Sequence, residues 1–155
     1  MTTDKPFARA EMLIRRPVAD VFEAFINPEI TRQFWFTQSS GKLEAGKHIE
    51  WTWEMYNLTI SVYVQSIQPN KTIIIDWGND NEKTTVEWTF KRLNDDSTFV
   101  SIVTGGFIGD TERVISQVRD STEGFTLVLA GLKAYLEHHI RLNLVADRVP
   151  KERTT

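Results

Sequence analysis

The chain contains no cysteine, which excludes disulfides, thiol nucleophiles and thiolate metal sites. No stretch approaches the roughly 18 consecutive apolar residues of a membrane-spanning helix, and residues 1–9 carry no apolar run of the kind a signal peptide uses. Together these absences lead to the expectation of a cytoplasmic protein. Proline and glycine are sparse, at 5 and 8 residues of 155, which argues against broad disorder. Excess positive charge is also missing. The 18 basic and 21 acidic side chains leave a net charge of -3, so nothing draws the chain to a polyanion and no nucleic-acid partner is expected. The basic pairs Arg15-Arg16 and Lys91-Arg92 read as a solvated rim. No ligand set for a metal and no activated nucleophile stands out, so no cofactor, metal or catalytic residue is assigned.

What is present is an ordinary globular composition, 41% apolar and 25% charged. A chain of this length makes one domain and buries roughly 70% of its unfolded surface. Residues 1–6 and about 146–155 read as terminal tails.

Residues 7–14 read as a strand. Pro17 then opens a short helix in which Val18, Val21, Phe22 and Phe25 recur at helical spacing. Asn27-Pro28 starts a second short helix, with asparagine as the cap and proline in the first turn, and the aromatic cluster Phe34-Trp35-Phe36 follows. Ser39-Ser40-Gly41 and Ala45-Gly46 read as turns. Ile49, Trp51 and Trp53 then share one parity, while His48, Glu50, Thr52 and Glu54 share the other, as on the two faces of a strand. Asn57 marks a hairpin turn before the alternation of Leu58, Ile60, Val62 and Val64. Pro69-Asn70 precedes the β-branched run of residues 72–77, and residues 78–81 form the next turn.

Thr84, Val86, Trp88 and Phe90 share one face of a further strand, Asn94-Asp95-Asp96 is a turn, and residues 99–104 form the last strand. Asp110 caps a helical stretch carrying Val114, Ile115 and Val118. Phe125, Val128, Leu129, Leu132, Tyr135, Leu136 and His139 continue as one broad apolar stripe, with Lys133, Glu137 and Arg141 on the opposite side. The expected fold is α+β: a curved six-stranded antiparallel sheet, two short helices and a long C-terminal helix that covers the sheet. The sheet aromatics either fill the core or line a cleft where sheet and helix diverge. Gly124 and Gly131, on one flank of the helix stripe, either permit close packing or leave cavity volume.

This order of elements resembles the helix-grip proteins related to START domains and the major birch-pollen allergen. More narrowly, it resembles the bacterial family named for a domain in the activator of the Hsp90 ATPase. The residues that carry the resemblance are Arg16-Pro17-Val18-Ala19-Asp20-Val21-Phe22, Asn27-Pro28-Glu29, the paired-strand segment 83–107, and Glu123-Gly124-Phe125 with Leu129, Leu132-Lys133 and Tyr135-Leu136-Glu137. Two positions depart from the family pattern. Ala45-Gly46-Lys47-His48 stands where a glycine pair and an arginine are usual, and Phe125 where a tryptophan is usual. The resemblance implies an elongated cavity between sheet and final helix, and a role in hydrophobic-ligand binding, cyclase-like chemistry on an apolar substrate, or contact with an Hsp90-type chaperone. A homodimer partner is a further expectation.

The matched apolar parity of strands and helix singles out Trp51, Trp53, Val62, Trp88, Phe99, Phe125, Leu129 and Leu132 as walls for a small hydrophobic ligand, with Trp35 and Phe36 at the entrance. Ordinary core packing is the competing explanation for the same residues. Ser61 and Thr104 are the hydroxyls that could meet a guest. His48, Glu50 and Glu54 share the polar face of their strand, His138 and His139 are read as structural, and Asp76, Asp80, Asp110 and Glu112 as turn or cap residues.

Overall fold

The computed structural model describes residues 5–79 and 83–150, so Asp80 and Asn81 lie outside the described residues. Seven strands form one curved antiparallel sheet: β1 (Ala8–Ile14), β2 (Gln38–Ser39), β3 (His48–Trp53), β4 (Leu58–Gln68), β5 (Thr72–Trp77), β6 (Thr84–Asn94) and β7 (Ser97–Gly105). Their spatial order is β1-β7-β6-β5-β4-β3-β2. Helices α1 (Val18–Ile26) and α2 (Pro28–Thr31) separate β1 from β2, and α3 (Thr111–His138) follows β7.

Among the described residues the sheet therefore has seven strands, not six. The added strand, β2, falls in a segment that reads as a turn from sequence. It pairs only Gln38 with Thr52 and Ser39 with Trp51, and two residues are too few to show an alternation. The Thr37 and Ser40 N–H groups donate to the Thr52 and Glu50 carbonyls, each at 2.9 Å, and extend the cover over the edge of β3.

Local chemistry sets the connections. Asn27 Oδ1 accepts from the Glu29 N–H at 3.0 Å at the start of α2, and Pro28 occupies the first turn. Asn57 and Asn70 take left-handed backbone angles, φ 50° and 62°, in the turns before β4 and β5, a conformation asparagine tolerates better than most residues. Asp110 Oδ1 accepts from the Arg113 N–H at 2.9 Å to cap α3. Gly124 lies within that helix, and His139 ends it with φ 57°. His139 is thus an exposed C-terminal cap, where the sequence placed it near the buried stripe.

The inner face of the sheet carries the core. Ile49, Trp51 and Trp53 of β3, Ile73 and Ile75 of β5, Val86, Trp88 and Phe90 of β6, and Val100 and Ile102 of β7 are all buried. In β4 the alternation is broken. Val62 and Val64 point inward, then a bulge between Val64 and Ser66 shifts the register, and Ile67 becomes the residue opposite the buried Ile73.

Helix α3 packs chiefly along β1, whose inward positions begin with the small Ala8 and Ala10. A polar clamp fixes its last turns to that edge. Lys133 Nζ donates to Leu13 O at 2.9 Å and to Glu137 Oε2 at 2.7 Å, and the same carboxylate oxygen accepts the Arg15 N–H at 2.7 Å. Arg16 adds a bond to Leu136 O at 2.9 Å. Lys133 and Glu137 therefore join α3 to β1, although the sequence sets them opposite the packed stripe.

Candidate functional site

All five tryptophans gather in one aromatic cluster, with Trp35 at its centre. Its ring centroid lies 4.9 Å from Trp51, 6.0 Å from Trp53, 5.8 Å from Trp77, 6.1 Å from Trp88 and 5.6 Å from Phe125. The residue sits just beyond α2, whose capped start aims the loop across the inner face of the sheet.

A cavity of about 410 Å³ opens beside this cluster, between β3, β5, β7 and the middle of α3. Trp35, Trp53, Trp77 and Phe125 form its ring-faced walls, and Thr104 and Val128 complete the interior. Such a volume falls within the roughly 300–1,000 Å³ of small-molecule sites, and mostly apolar walls with a few polar groups are typical of them. Gly124 contributes by what it lacks. A Cβ built there meets nothing within 4 Å, whereas one at Gly131 meets Phe34 Cβ at 3.3 Å and Phe34 O at 3.4 Å. Of the two explanations available from sequence, cavity volume fits Gly124 and close packing fits Gly131.

Residues 140–150 fold back across the mouth, including the part that reads as a tail from sequence. The Tyr56 hydroxyl donates to the Val145 carbonyl and contacts that of Ala146 at 3.3 Å. Arg148 reaches Glu123 at 2.7 Å and Asp120 at 3.9 Å. Val145, Arg148 and Val149 therefore border the cavity together with Asp120 and Ser121. The rim is polar and internally neutralised, and the interior is apolar.

The expected wall residues divide into three groups. Trp53 and Phe125, with Trp35 from the expected entrance, line the cavity. Trp51, Val62, Trp88, Leu129 and Leu132 are buried to 1% exposure or less and belong to the packed core around it, as does Phe36, which stacks on Trp51 at 5.0 Å instead of standing at an entrance. Phe99 lies on the other face of the sheet. It is paired with Lys91 and Leu13, and the inward positions of β7 are Thr98, Val100, Ile102 and Thr104.

Trp77 and Tyr56 are among the lining residues that the sequence pattern does not single out. Trp77 shares its parity with Ile73 and Ile75, a signal visible in the sequence but masked by the adjoining turn. Tyr56 sits in a single 3-10 turn (Glu54–Tyr56), which has no period to read. Thr104 reads from the sequence as a hydroxyl that could meet a guest. It does line the cavity, whereas Ser61 is exposed.

Electrostatics add structure more than reactivity. Burial pushes the Glu137 carboxyl up, but the Arg15 N–H, the Lys133 ammonium and the His138 charge outweigh it and hold the group below the usual carboxylate range. Glu137 stands in the clamp to β1, away from the cavity. Among the described residues no group of three or more His, Asp or Glu side chains could hold a metal ion, and no helix is long and apolar enough to cross a membrane.

A sheet wrapped on a long terminal helix, with a cavity between them, defines a START-like helix-grip protein. The chain belongs to the family described as Activator of Hsp90 ATPase homolog 1-like protein, which it matches over residues 15–137. Protein SSP2350 of Staphylococcus saprophyticus is similar at 29% identity, covering 88% of this chain and 96% of that one with a TM-score of 0.77. DynU16, from the dynemicin biosynthetic locus, shares 18% identity over 87% of this chain and 48% of its own, with a TM-score of 0.77. The Aha1 dimer from Colwellia psychrerythraea shares 16% identity over 86% and 97%, with a TM-score of 0.72. The last two likenesses establish shared fold alone. No curated protein matches the chain.

Proposed function

We propose that the protein binds a small, mostly hydrophobic molecule, non-covalently, in the cavity between the sheet and α3. One observation carries this reading. The surrounding core is closed, yet Trp35, Trp53, Trp77 and Phe125 leave about 410 Å³ on their cavity side. Each CH₂ group moved from water into such a space contributes about 0.8 kcal/mol. Turnover would need an acid or base at the wall. Asp120, at the rim, is the one carboxylate among the described lining residues, and Arg148 lies 3.9 Å from it, so the arrangement favours binding over a cyclase-like reaction.

Side-chain chemical shifts followed against a hydrophobic compound library test the reading. Saturable shifts should appear at Trp53, Trp77 and Phe125, and Gly124→Leu, which fills the open space beside the helix, should abolish them while the folded spectrum persists. Absence of any saturable response at those residues refutes it.

Family membership supports a second reading, regulation of an Hsp90-type chaperone. An exposed apolar groove between Pro6 and the first turns of α3, where Ile108 is 65% exposed and Ile115 49%, offers a surface for it. Titration of purified chaperone, with ATP turnover as the readout, decides it, and no binding and no change in turnover end that reading.

A further inference from the structure

The first turns of α3 keep one side uncovered. Glu112, Ile115 and Arg119 follow one another at three- and four-residue spacing, so they form a single stripe, and all three are exposed. Ile115 is 49% exposed, and Ile108, just before the helix, is 65% exposed. On the other flank of Ile115, Val114 and Val118 join Pro6 and Phe107 in an open apolar groove. A lone exposed isoleucine is ordinary, but two that continue into an apolar groove mark a contact surface.

The charges on the stripe are unused. Asp120 and Glu123, further round the helix, are both engaged by Arg148. Glu112 and Arg119 have no ion pair among the described residues. Two helical turns separate them, a rise of roughly 10 Å, so they do not reach each other. Their spacing selects the partner. Glu112 stands three residues before Ile115 and Arg119 four residues after it, and both charges lie on the same flank of the stripe. An identical helix laid antiparallel, with a two-fold axis beside Ile115, brings each Glu112 against the second copy's Arg119. Both ion pairs form together, and the two Ile115 side chains meet between them. A parallel copy would set glutamate against glutamate and arginine against arginine.

We infer that the protein self-associates through the first half of α3 as a two-fold symmetric dimer, with Ile115 at the axis and a Glu112–Arg119 pair on either side. Such a contact is isologous, the usual form of a homodimer interface. A single helix pair lies at the small end of specific interfaces, so the dimer is weak and depends on concentration. The exposed ion pairs fix the register and exclude other pairings more than they add affinity. A second copy seated here covers the groove, so this face does not hold a chaperone at the same time.

Sedimentation velocity of the full chain at low salt, from micromolar to millimolar concentration, tests the inference. The samples are the native protein, Glu112→Arg, Arg119→Glu and an equimolar mixture of the two variants. Both substitutions are on exposed positions, and circular dichroism verifies that the fold persists. The native protein should shift from monomer to dimer as concentration rises. Each variant alone sets like charges opposite each other twice, and its dimer Kd should rise by about tenfold or more. The mixture restores two opposite-charge pairs in the heterodimer, and its Kd should return to within about threefold of the native value. Recovery on mixing distinguishes a direct contact from a general loss of stability. A native protein that stays monomeric at millimolar concentration, variants that dimerise like the native chain, or a mixture no tighter than its components each overturn the inference. If the native chain remains monomeric while Ile115 and Arg119 respond to purified Hsp90-type chaperone, the face belongs to that partner instead and self-association is refuted.

Discussion

Trp88→Ala separates core from cavity wall by its magnitude. Trp88 is 1% exposed. Its ring centroid lies 5.7 Å from Phe25 and 6.1 Å from both Trp35 and Phe125, and on the sheet it stands between Ile73 and Ile102. A buried indole removes about 150–250 Å² from water, and truncating such a side chain to alanine costs about 3–5 kcal/mol. The Nε1 group has no hydrogen-bond partner among the described residues, so its desolvation penalty disappears with the ring and offsets about 1–3 kcal/mol. The expected net loss is therefore about 2 kcal/mol, below the usual range for tryptophan. Trp77→Ala should cost less, about 1 kcal/mol, because Trp77 is half-buried and already borders open space. Urea unfolding followed by circular dichroism measures both, with an unchanged m-value as the condition for comparison. For a chain of this size the Trp88→Ala loss corresponds to a fall in Tm of about 4–8 °C. A loss below about 1 kcal/mol, or a larger loss for Trp77→Ala, would refute the division of the cluster into packed core and cavity wall.

Two further predictions concern the terminal helix. Gly124→Ala should stabilise the protein by about 0.5–1 kcal/mol through helix propensity alone, since its Cβ enters open space. Gly131→Ala should show no such gain because its Cβ is set against Phe34, and equal thermal stabilisation by the two substitutions would contradict that close approach. Glu137→Gln should cost about 2 kcal/mol at neutral pH by weakening bonds to a charged acceptor whose side chain is only 9% exposed. The folded carboxyl is held below its unfolded range, so its contribution is complete above about pH 5 and is lost as the pH falls through the unfolded value near about 4.3 and on to the lower folded one. Unfolding measured from pH 7 to pH 3 should therefore show a shallower acid decline in the variant than in the native protein, and parallel curves would exclude Glu137 as a source of that decline.

Alternation made most of the architecture legible. The inward sets of β3 and β6 are buried as their parity requires, and the asparagine and aspartate caps stand where the sequence places them. Strand β7 was harder because both of its faces carry apolar residues. Phe99 and Val103 lie on one face, Val100 and Ile102 on the other, with Thr98 and Thr104 among the inward positions. Hydrophobicity alone does not choose between such faces, and the register against Trp88 and Phe90 of β6 does. The bulge after Val64 is a second obstacle, since one added residue reverses which side points inward without leaving a compositional mark.

The cavity depends on a relation that no single element contains. Small Ala8 and Ala10, with the Lys133–Glu137 clamp, bring α3 down onto the β1 edge of the sheet. Over the β3–β5 half the same helix presents Gly124, which has no side chain to fill the gap. Trp35 comes in from the loop after α2, and residues 145–149 come from the returning C-terminal segment. Each segment obeys its own local pattern, and the unfilled volume arises from how they are spaced. This also explains why six of the ten expected wall and entrance residues lie in the packed core. Shared parity places large side chains on one face of a sheet, but whether a ring meets another ring or open space depends on the distance to the helix above it. Here the Gly124 side of α3 determines where that space remains.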